Sequence, residues 1–202
     1  MAGKISGTNT PDTPSVPLFL RVALFFLLVC LNALVAKFVV FSLPLAPGIS
    51  LLYVVVALMI VTTLWFGMYG AVAAYFGCFI GAGLLSGLSP DVSLYWSVAD
   101  FLQVLIPLLA FRMLGGDISI RTRRDIAILV AFGIVLNNVV GAIWGTLSLY
   151  LAGLIPTQNF PVVFSGWLIM NILISIIVVP LVLRFGTPLI RDHELFVKKY
   201  WE

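Results

Sequence analysis

The sequence predicts an all-α integral membrane protein, a bundle of six transmembrane helices with both termini in the cytoplasm. Composition gives the first reason, since 62% of the residues are apolar and 9% are charged, whereas a soluble domain carries about 25% charged residues. A chain of 202 residues buries too little surface to hide so many apolar side chains from water. Lipid is therefore the expected partner of most of the surface, and the mean hydropathy of +1.18 agrees.

Six apolar blocks, separated by glycine, proline or charged residues, have lengths near or above the about 20 residues that a bilayer-spanning helix needs. They cover residues 18–42, 50–66, 71–88, 93–114, 125–155 and 162–185. The fifth block is too long for one upright span. We expect it to tilt, to project into the cytosol, or to bend near Gly133 or at Asn137 and Asn138. Residues 1–17, with several glycines, serines and prolines, predict a disordered cytoplasmic tail, and residues 186–202 predict a second, charged one.

The distribution of cationic residues predicts the orientation. With six spans, ten of the eleven Lys and Arg residues fall on one side, and only Lys37 falls toward the other. The ten are Lys4, Arg21, Arg112, Arg121, Arg123, Arg124, Arg184, Arg191, Lys198 and Lys199. Cytoplasmic loops carry the excess of Lys and Arg in membrane proteins, so this side is the expected cytoplasmic side of the plasma membrane. Five or seven spans would lose the partition.

The inventory of reactive residues argues against several classes of protein. His193 is the one histidine, which excludes a multi-histidine metal site. Cys30 and Cys78 lie mid-way along apolar blocks and are interpreted as small buried hydrophobes. The sequence has no nucleophile–histidine–acid set within the blocks, no phosphate-binding loop and no basic run between aromatic residues. It therefore predicts no catalytic residue, metal, cofactor or nucleic-acid partner.

Polar side chains within the apolar blocks are the candidate site, because lipid makes them costly. In the fourth block, Asp100 and Gln103 share one helix face with Trp96. Lys37 in the first block lies at a depth similar to that of Asp100. It either forms an ion pair with Asp100 or extends to the membrane surface.

Amides and tryptophans of the last two blocks extend this set. Asn137, Asn138 and Asn171 suit a ligand, since an amide both donates and accepts hydrogen bonds, and they equally suit hydrogen bonding between helices. Trp144 and Trp167 map to the outer half, either in an aromatic belt or as walls for a flat ligand. The predicted substrate-binding residues are Lys37, Trp96, Asp100, Gln103, Asn137, Asn138, Trp144, Trp167 and Asn171.

Small residues recur at every fourth position in two of the blocks. They stand at Ala73, Gly77 and Gly81, and again at Gly141 and Gly145. This spacing lets helix backbones approach closely. We expect the helix of the third block to lie centrally or to slide against a partner.

The pattern of six spans in a chain of this length resembles the substrate-binding (S) component of energy-coupling-factor (ECF) transporters. The segment LWFGMYGA at residues 64–71 is similar to the FG-x-x-GA turn of that family, and GCFIG follows at residues 77–81. The fourth block, in which Asp100 precedes an Ile-Pro pair and Arg112, is also similar. This resemblance implies a protein that binds a vitamin-like small molecule from outside and works with a membrane coupling subunit and two cytoplasmic ATPases. The outer ends of blocks four to six and the loop at residues 43–49 would form the pocket and its lid.

A second resemblance competes with the first. The segment PGIS at residues 47–50 and the helix from Trp167 to Pro180 are similar to the membrane-associated sensor domains of bacterial signalling proteins. That resemblance implies a ligand sensor that signals through a partner protein. Such domains are usually longer and fused to a catalytic output domain, so length and span count favour the transporter interpretation.

The predicted topology can be tested by cysteine labelling in a variant whose two native cysteines are replaced by alanine. Cysteines at Asp91 and Gln158 are expected to react with a membrane-impermeant thiol reagent added to intact cells, and a cysteine at Arg123 only after the membrane is opened. The cation partition is the reason for this expectation. External labelling at Arg123, or protection at Asp91 or Gln158, would contradict it.

Overall fold

The computed structural model describes residues 16–41 and 52–201. The expected N-terminal tail up to residue 15 and the expected lid at residues 43–49 lie outside the described residues. Five helical segments of the described part are long and apolar enough to cross a bilayer. They are Leu18–Phe38, Met68–Ser86, Pro90–Met113, Arg123–Leu151 and Thr157–Ile190. By helix length and composition, the chain is a multi-pass helical membrane protein.

Eight α-helices and one short strand pair make up the described part. The helices are α1 (Leu18–Phe38), α2 (Val55–Phe66), α3 (Met68–Cys78), α4 (Pro90–Trp96), α5 (Val98–Met113), α6 (Arg123–Ile128), α7 (Asn137–Leu151) and α8 (Phe160–Ile190). Strand β1 (Val40–Phe41) pairs antiparallel with β2 (Leu52–Tyr53). Helix α3 continues through a π-helical turn (Phe79–Gly83) and a 3-10 turn (Leu84–Ser86), a π-helical stretch (Leu129–Leu136) joins α6 to α7, and a 3-10 turn (Thr157–Asn159) precedes α8.

Helix α2 is short because it lies inside the bundle. Its 12 residues extend about 18 Å at 1.5 Å per residue, less than the about 30 Å of a bilayer core. Nine of them are buried, and the helix packs against α3, α5 and α8. A helix surrounded by protein need not match the thickness of the lipid, so the second block, expected at residues 50–66, yields a helix only from Val55.

Close packing of the third block on the first follows the small residues as predicted. Ala73 is fully buried. A Cβ added at Gly77 would overlap the Cβ of Asn32, and one added at Gly81 would overlap the backbone of Ala33. The absence of side chains at these two glycines therefore sets the distance between α1 and α3.

Residues 197–201 pack against the turn between α2 and α3. The N–H of Met68 donates to the carbonyl of Tyr200 at 2.8 Å, and the N–H of Val197 donates to the carbonyl of Trp65 at 2.9 Å. Arg112, in the last turn of α5, donates to the carbonyls of Val197 and Lys199 at 2.6 and 2.8 Å. We call this end of the bundle the basic end.

Helix α8 extends to Ile190, beyond the end at Phe185 that its apolar block indicated. Trp65 of α2 accounts for the added turn. Its indole N–H donates to the hydroxyl of Thr187 at 3.0 Å, and Gly186 lies against its ring. Packing against α2 thus stabilises the last turn of α8, which lies beyond the apolar block.

The loop of residues 114–122, between α5 and α6, is held at the basic end by charged side chains. Thr122 and Asp125 form a capping box at the start of α6, which satisfies backbone donors of its first turn. Arg191 pairs with Asp117 and donates to the Ser119 hydroxyl at 2.9 Å. Burial raises the pKa of Asp117, but hydrogen bonds from the Ser119 N–H and Arg191 outweigh it, so the pKa lies below its ordinary value. The carboxylate therefore stays charged and ties the loop to the end of α8.

The packing of residues 197–201 on the turn between α2 and α3 requires glycine at position 67. Gly67 has φ +60° and ψ −136°, a backbone conformation that is strained by about 1–3 kcal/mol for other residues. A Cβ there would also overlap the carbonyl oxygen of Tyr200. We expect Gly67→Ala to lower the melting temperature of the solubilised protein by several degrees.

Gly115→Ala is the matched control. Gly115 also has a positive φ, +62°, but a Cβ there would meet nothing within 4 Å, so the variant carries the backbone strain without the overlap. Its loss of melting temperature is expected to be clearly smaller. Equal losses would show that residues 197–201 do not press on the turn.

Candidate functional site

Helix α8 buries every fourth residue along its length. The buried residues are Val163, Trp167, Asn171, Ser175, Val179, Leu183 and Thr187. Residues four apart form one ridge of a helix surface, and such ridges pack into the grooves of neighbouring helices. This ridge points Trp167, Asn171 and Ser175 into the protein rather than into lipid.

The start of α7 follows a stretch of altered helix geometry. The fifth block is π-helical over Leu129–Leu136, which includes Gly133 and ends directly before Asn137. The departure from α-helix includes Gly133, one of the two places where a bend was among the expected ways to accommodate the length of the block. Such π-helical segments are frequent at functional sites, and this one immediately precedes two asparagines, Asn137 and Asn138, that are fully buried.

Two glycines of α7 allow α5 and α8 to approach it closely. A Cβ added at Gly141 would overlap the side chain of Gln103, and one added at Gly145 would overlap the indole of Trp167. Gln103 and Trp167 thus lie directly on the backbone of α7. The spacing that predicted helix contact at these glycines is confirmed, with large polar and aromatic side chains as the partners.

Hydrogen bonds between side chains join the three helices. Gln103 Nε2 donates to Asn138 Oδ1 at 2.7 Å. Asn138 Nδ2 donates to the Ser175 hydroxyl at 3.3 Å and to the carbonyl of Ile134 at 2.8 Å. Asn138 therefore lies at the centre of a chain that runs from α5 through α7 to α8.

A pair of tryptophans lies farther from the basic end. The rings of Trp96 and Trp167 contact edge to face, with centroids 5.7 Å apart, and both are buried. Asp100 follows Trp96 by one helical turn, and Asn171 follows Trp167 by one turn. Asp100 and Asn171 therefore lie between the level of the two indoles and the level of the Gln103 and Asn138 amides. We call the seven residues Trp96, Asp100, Gln103, Asn138, Trp167, Asn171 and Ser175 the polar cluster.

Several polar atoms in and around the cluster are buried without a hydrogen-bond partner among the described residues. Within the cluster they are Trp96 Nε1, Gln103 Oε1, Trp167 Nε1 and Asn171 Nδ2. On α7, both amide atoms of Asn137 and the hydroxyl of Thr146 share this state. Each such atom costs about 1–3 kcal/mol if it stays unpaired, and buried polar groups normally pair with protein, water or a bound molecule. The cluster thus offers donors and an acceptor, beside the carboxyl group of Asp100, for hydrogen bonds to a small molecule.

The other predicted site residues lie outside the cluster. Asn137 is buried on the adjacent position of α7. Trp144 is 38% exposed, and its indole N–H donates to the carbonyl of Tyr95 at 2.8 Å. Trp144 therefore faces away from the interior.

Of the two alternatives that the sequence left open for Lys37, the structure does not show the ion pair with Asp100. The ammonium group of Lys37 donates to the carbonyl of Leu85 at 2.7 Å, and the one salt bridge between described residues joins Arg191 and Asp117. The physical reason is local, since Leu85 lies in the last turn of its helix, where carbonyls lack partners and attract cations.

Sequence reasoning missed Ser175 and Thr146. Ser175 continues the four-residue spacing of Trp167 and Asn171, and that spacing was the available signal. Thr146 carries no comparable signal, because threonine is common in apolar helices and often bonds its own backbone.

Comparisons with known proteins found no match, neither a family model, nor a curated protein, nor a solved structure. The two resemblances therefore rest on the span pattern and on local sequence matches such as those at residues 64–71 and 47–50. A fold alone would not give the function in any case. The chemistry of the polar cluster is the basis for a functional proposal.

The chain of hydrogen bonds through Asn138 can be tested by a double-mutant cycle. Asn138→Leu and Gln103→Met are each expected to lower the free energy of unfolding by about 1–3 kcal/mol, because each leaves a buried partner unpaired. The double variant is expected to lose less than the sum, since neither amide of the bond between Gln103 and Asn138 is then left without the other. The free energies are measured by denaturant unfolding in mixed micelles.

Ser148→Ala serves as the control for this cycle. The Ser148 hydroxyl is exposed and bonds only the carbonyl of Trp144 on its own helix, so little change in stability is expected. Strict additivity of Asn138→Leu and Gln103→Met would contradict a direct interaction between the two amides.

Proposed function

We propose that this protein is a membrane-embedded component that binds a small, vitamin-like molecule and takes part in its uptake together with an ATP-driven coupling module. The proposal rests on the polar cluster in the middle of an apolar bundle, in which four buried side chains carry a hydrogen-bonding atom without a partner among the described residues. Polar groups in transmembrane segments are costly and commonly mark the path or site of a substrate. A small molecule with several hydrogen-bonding groups would pair these atoms.

The proposal includes six spans with both termini on the cytoplasmic side of the plasma membrane. Support comes from contacts at the basic end, where Arg21, Tyr69 and Trp201 line one small cleft and Arg112 meets residues 197–201. The bond between Lys37 and Leu85 lies at the opposite end, which supports α2 as a pass between the two ends despite its length. All the described Lys and Arg residues except Lys37 belong to the basic end, as expected for the cytoplasmic side.

Binding rather than chemistry is the role that the cluster favours. Indoles and amides donate and accept hydrogen bonds but are poor nucleophiles, and the one titratable member is Asp100. Its carboxyl group would orient a ligand through a hydrogen bond or an opposite charge. The aromatic pair of Trp96 and Trp167 would contribute apolar contact area at the same position, as expected of a site for a small organic molecule.

Work with a coupling module is suggested by the resemblance to ECF S components and by the surface of the basic end. Arg121, Arg123 and Arg124 are exposed close together in the sequence, and Lys198 and Lys199 are exposed within the segment 197–201. A basic surface of this kind fits an acidic partner surface. Positive-inside orientation explains the same residues, so this support is secondary to the cluster.

A ligand sensor that signals through a partner protein is the second candidate. The observation that favours it is the packing of residues 197–201 on the turn between α2 and α3. Arg112 of α5 connects the two through the carbonyls of Leu64 and Val197. A shift of α5 on ligand binding would therefore reach the surface of the basic end, where a partner would detect it.

Binding is tested by the thermal stability of the purified protein in a panel of water-soluble vitamins. A ligand of the cluster is expected to raise the melting temperature, because bound ligand stabilises the folded state by mass action. Asn171→Leu is expected to reduce the shift. Trp144→Phe is the matched control, since Trp144 lies outside the cluster, and is expected to keep the shift.

Uptake is tested by ATP-dependent accumulation of the stabilising vitamin in cells that express the protein with and without a coupling subunit and its ATPases. Accumulation only with the module would support the transporter function. A vitamin that stabilises the protein strongly but never accumulates with any module would contradict it, and co-purification of a signalling enzyme would then favour the sensor.

A further inference from the structure

A groove of about 440 Å³ lies between α4 and α7, outside the polar cluster. Six of its lining residues matter here: Asp91, Tyr95, Trp144, Leu147, Ser148 and Leu151. Its volume falls in the range of small-molecule sites, about 300–1,000 Å³. It lies at the end of the bundle opposite to the basic end, because Asp91 and Arg112 occupy the two ends of the segment Pro90–Met113.

Helix α4 is the wall between this groove and the polar cluster. Tyr95 lines the groove, whereas the next residue, Trp96, contacts Trp167 inside the protein. On α7, Trp144 likewise lines the groove, whereas the next residue, Gly145, meets the indole of Trp167 inside the protein. The hydrogen bond from Trp144 to the carbonyl of Tyr95 joins the two helices, so the groove is a separate feature and does not depend on the proposed function.

The groove opens on the surface that lipid covers. Tyr95 is 64% exposed and Leu151 is 74% exposed, and these are side chains that water would not solvate well. From Leu151 to Trp144 the groove descends about 10 Å along α7, at 1.5 Å per residue. It therefore reaches from the end of the span into the hydrocarbon region, where tryptophan and tyrosine mark the boundary.

The polar side chains that line the groove are Asp91, Tyr95, Trp144 and Ser148. Asp91, at the start of α4, is the one charged residue that lines it. The Trp144 N–H is already used by Tyr95, and the Ser148 hydroxyl donates to the carbonyl of Trp144. What remains for an occupant is a negative charge at the rim and apolar and aromatic walls below, which is complementary to an amphiphile with a cationic head and an apolar tail.

We propose that this groove binds an amine-bearing phospholipid of the surrounding bilayer. The ammonium group lies at the carboxylate of Asp91, and one acyl chain runs along Leu147 toward Trp144. A bilayer lipid fits better than a soluble amine because the walls open into hydrocarbon. An anionic lipid without an amine is disfavoured by the charge of Asp91.

The test is native mass spectrometry of the protein released from nanodiscs that contain equal amounts of phosphatidylethanolamine and phosphatidylglycerol. The wild type is expected to retain phosphatidylethanolamine in preference by about twofold to fivefold, the size of one exposed ion pair. Asp91→Asn is expected to remove the preference. Asp192→Asn, the same change at an exposed site on the basic end, is the matched control and is expected to keep it.

A second variant separates the groove from general effects of charge. Ala152→Trp would fill the groove without touching the bond between Trp144 and Tyr95, and it is expected to lower the retention of phosphatidylethanolamine while the melting temperature stays near that of the wild type. Equal retention of the two lipids by the wild type, a preference that survives Asp91→Asn, or unchanged retention in Ala152→Trp would each overturn the proposal. Displacement of the lipid by soluble glycerophosphoethanolamine would also overturn it, since the site would then recognise the headgroup alone.

Discussion

Gln103 reaches Asn138 only because Gly141 has no side chain. A Cβ at that position would overlap the amide of Gln103, so the contact between α5 and α7 and the hydrogen bond between their amides have one common origin. The bond satisfies Asn138 Oδ1 and leaves its amide nitrogen for Ser175 and Ile134. In an interior without water, each of these pairings removes a cost that the apolar packing would otherwise have to offset.

Three levels follow from this contact along the interior of the bundle. The amides of Gln103 and Asn138 form the level nearest the basic end, Asp100 and Asn171 lie one turn farther, and the indoles of Trp96 and Trp167 come last. Gly145 fixes the indole level as Gly141 fixes the amide level, because each glycine admits one large side chain to the backbone of α7.

The elements that the sequence predicted best are those whose evidence lies within one helix. The shared face of Trp96, Asp100 and Gln103 needs only helix periodicity, and the five long apolar segments need only length and composition. The sequence could not predict which face of α7 points into the protein. Lipid and protein interior are both apolar, so the periodicity of apolar residues does not distinguish the two faces. The sequence therefore left Trp144 open between an aromatic belt and a wall of the ligand site, and in the structure the neighbouring Gly145 is the residue that meets the indole of Trp167.

Contacts between distant segments account for the rest of the difference. The sequence suggests Asp100 as one partner for Lys37, but a carbonyl at the end of a helix also accepts from a cation, and Lys37 donates to that of Leu85. The length of α8 depends on Trp65, which stands more than 100 residues earlier in the chain. Neither a charge pattern nor an apolar block carries such information.

The polar attachment of residues 197–201 to the bundle uses their backbone, while the side chains of Val197 and Trp201 add apolar contacts with the bundle. Trp65 and Met68 bind the main chain of Val197 and Tyr200, and Arg112 binds carbonyls alone. Main-chain groups are the same in every residue except proline, which lacks the N–H. Mutational tolerance should therefore be uneven across this contact, with wide variation permitted at the exposed Lys198 and Lys199 and almost none at Gly67 and Arg112, which bind their segment.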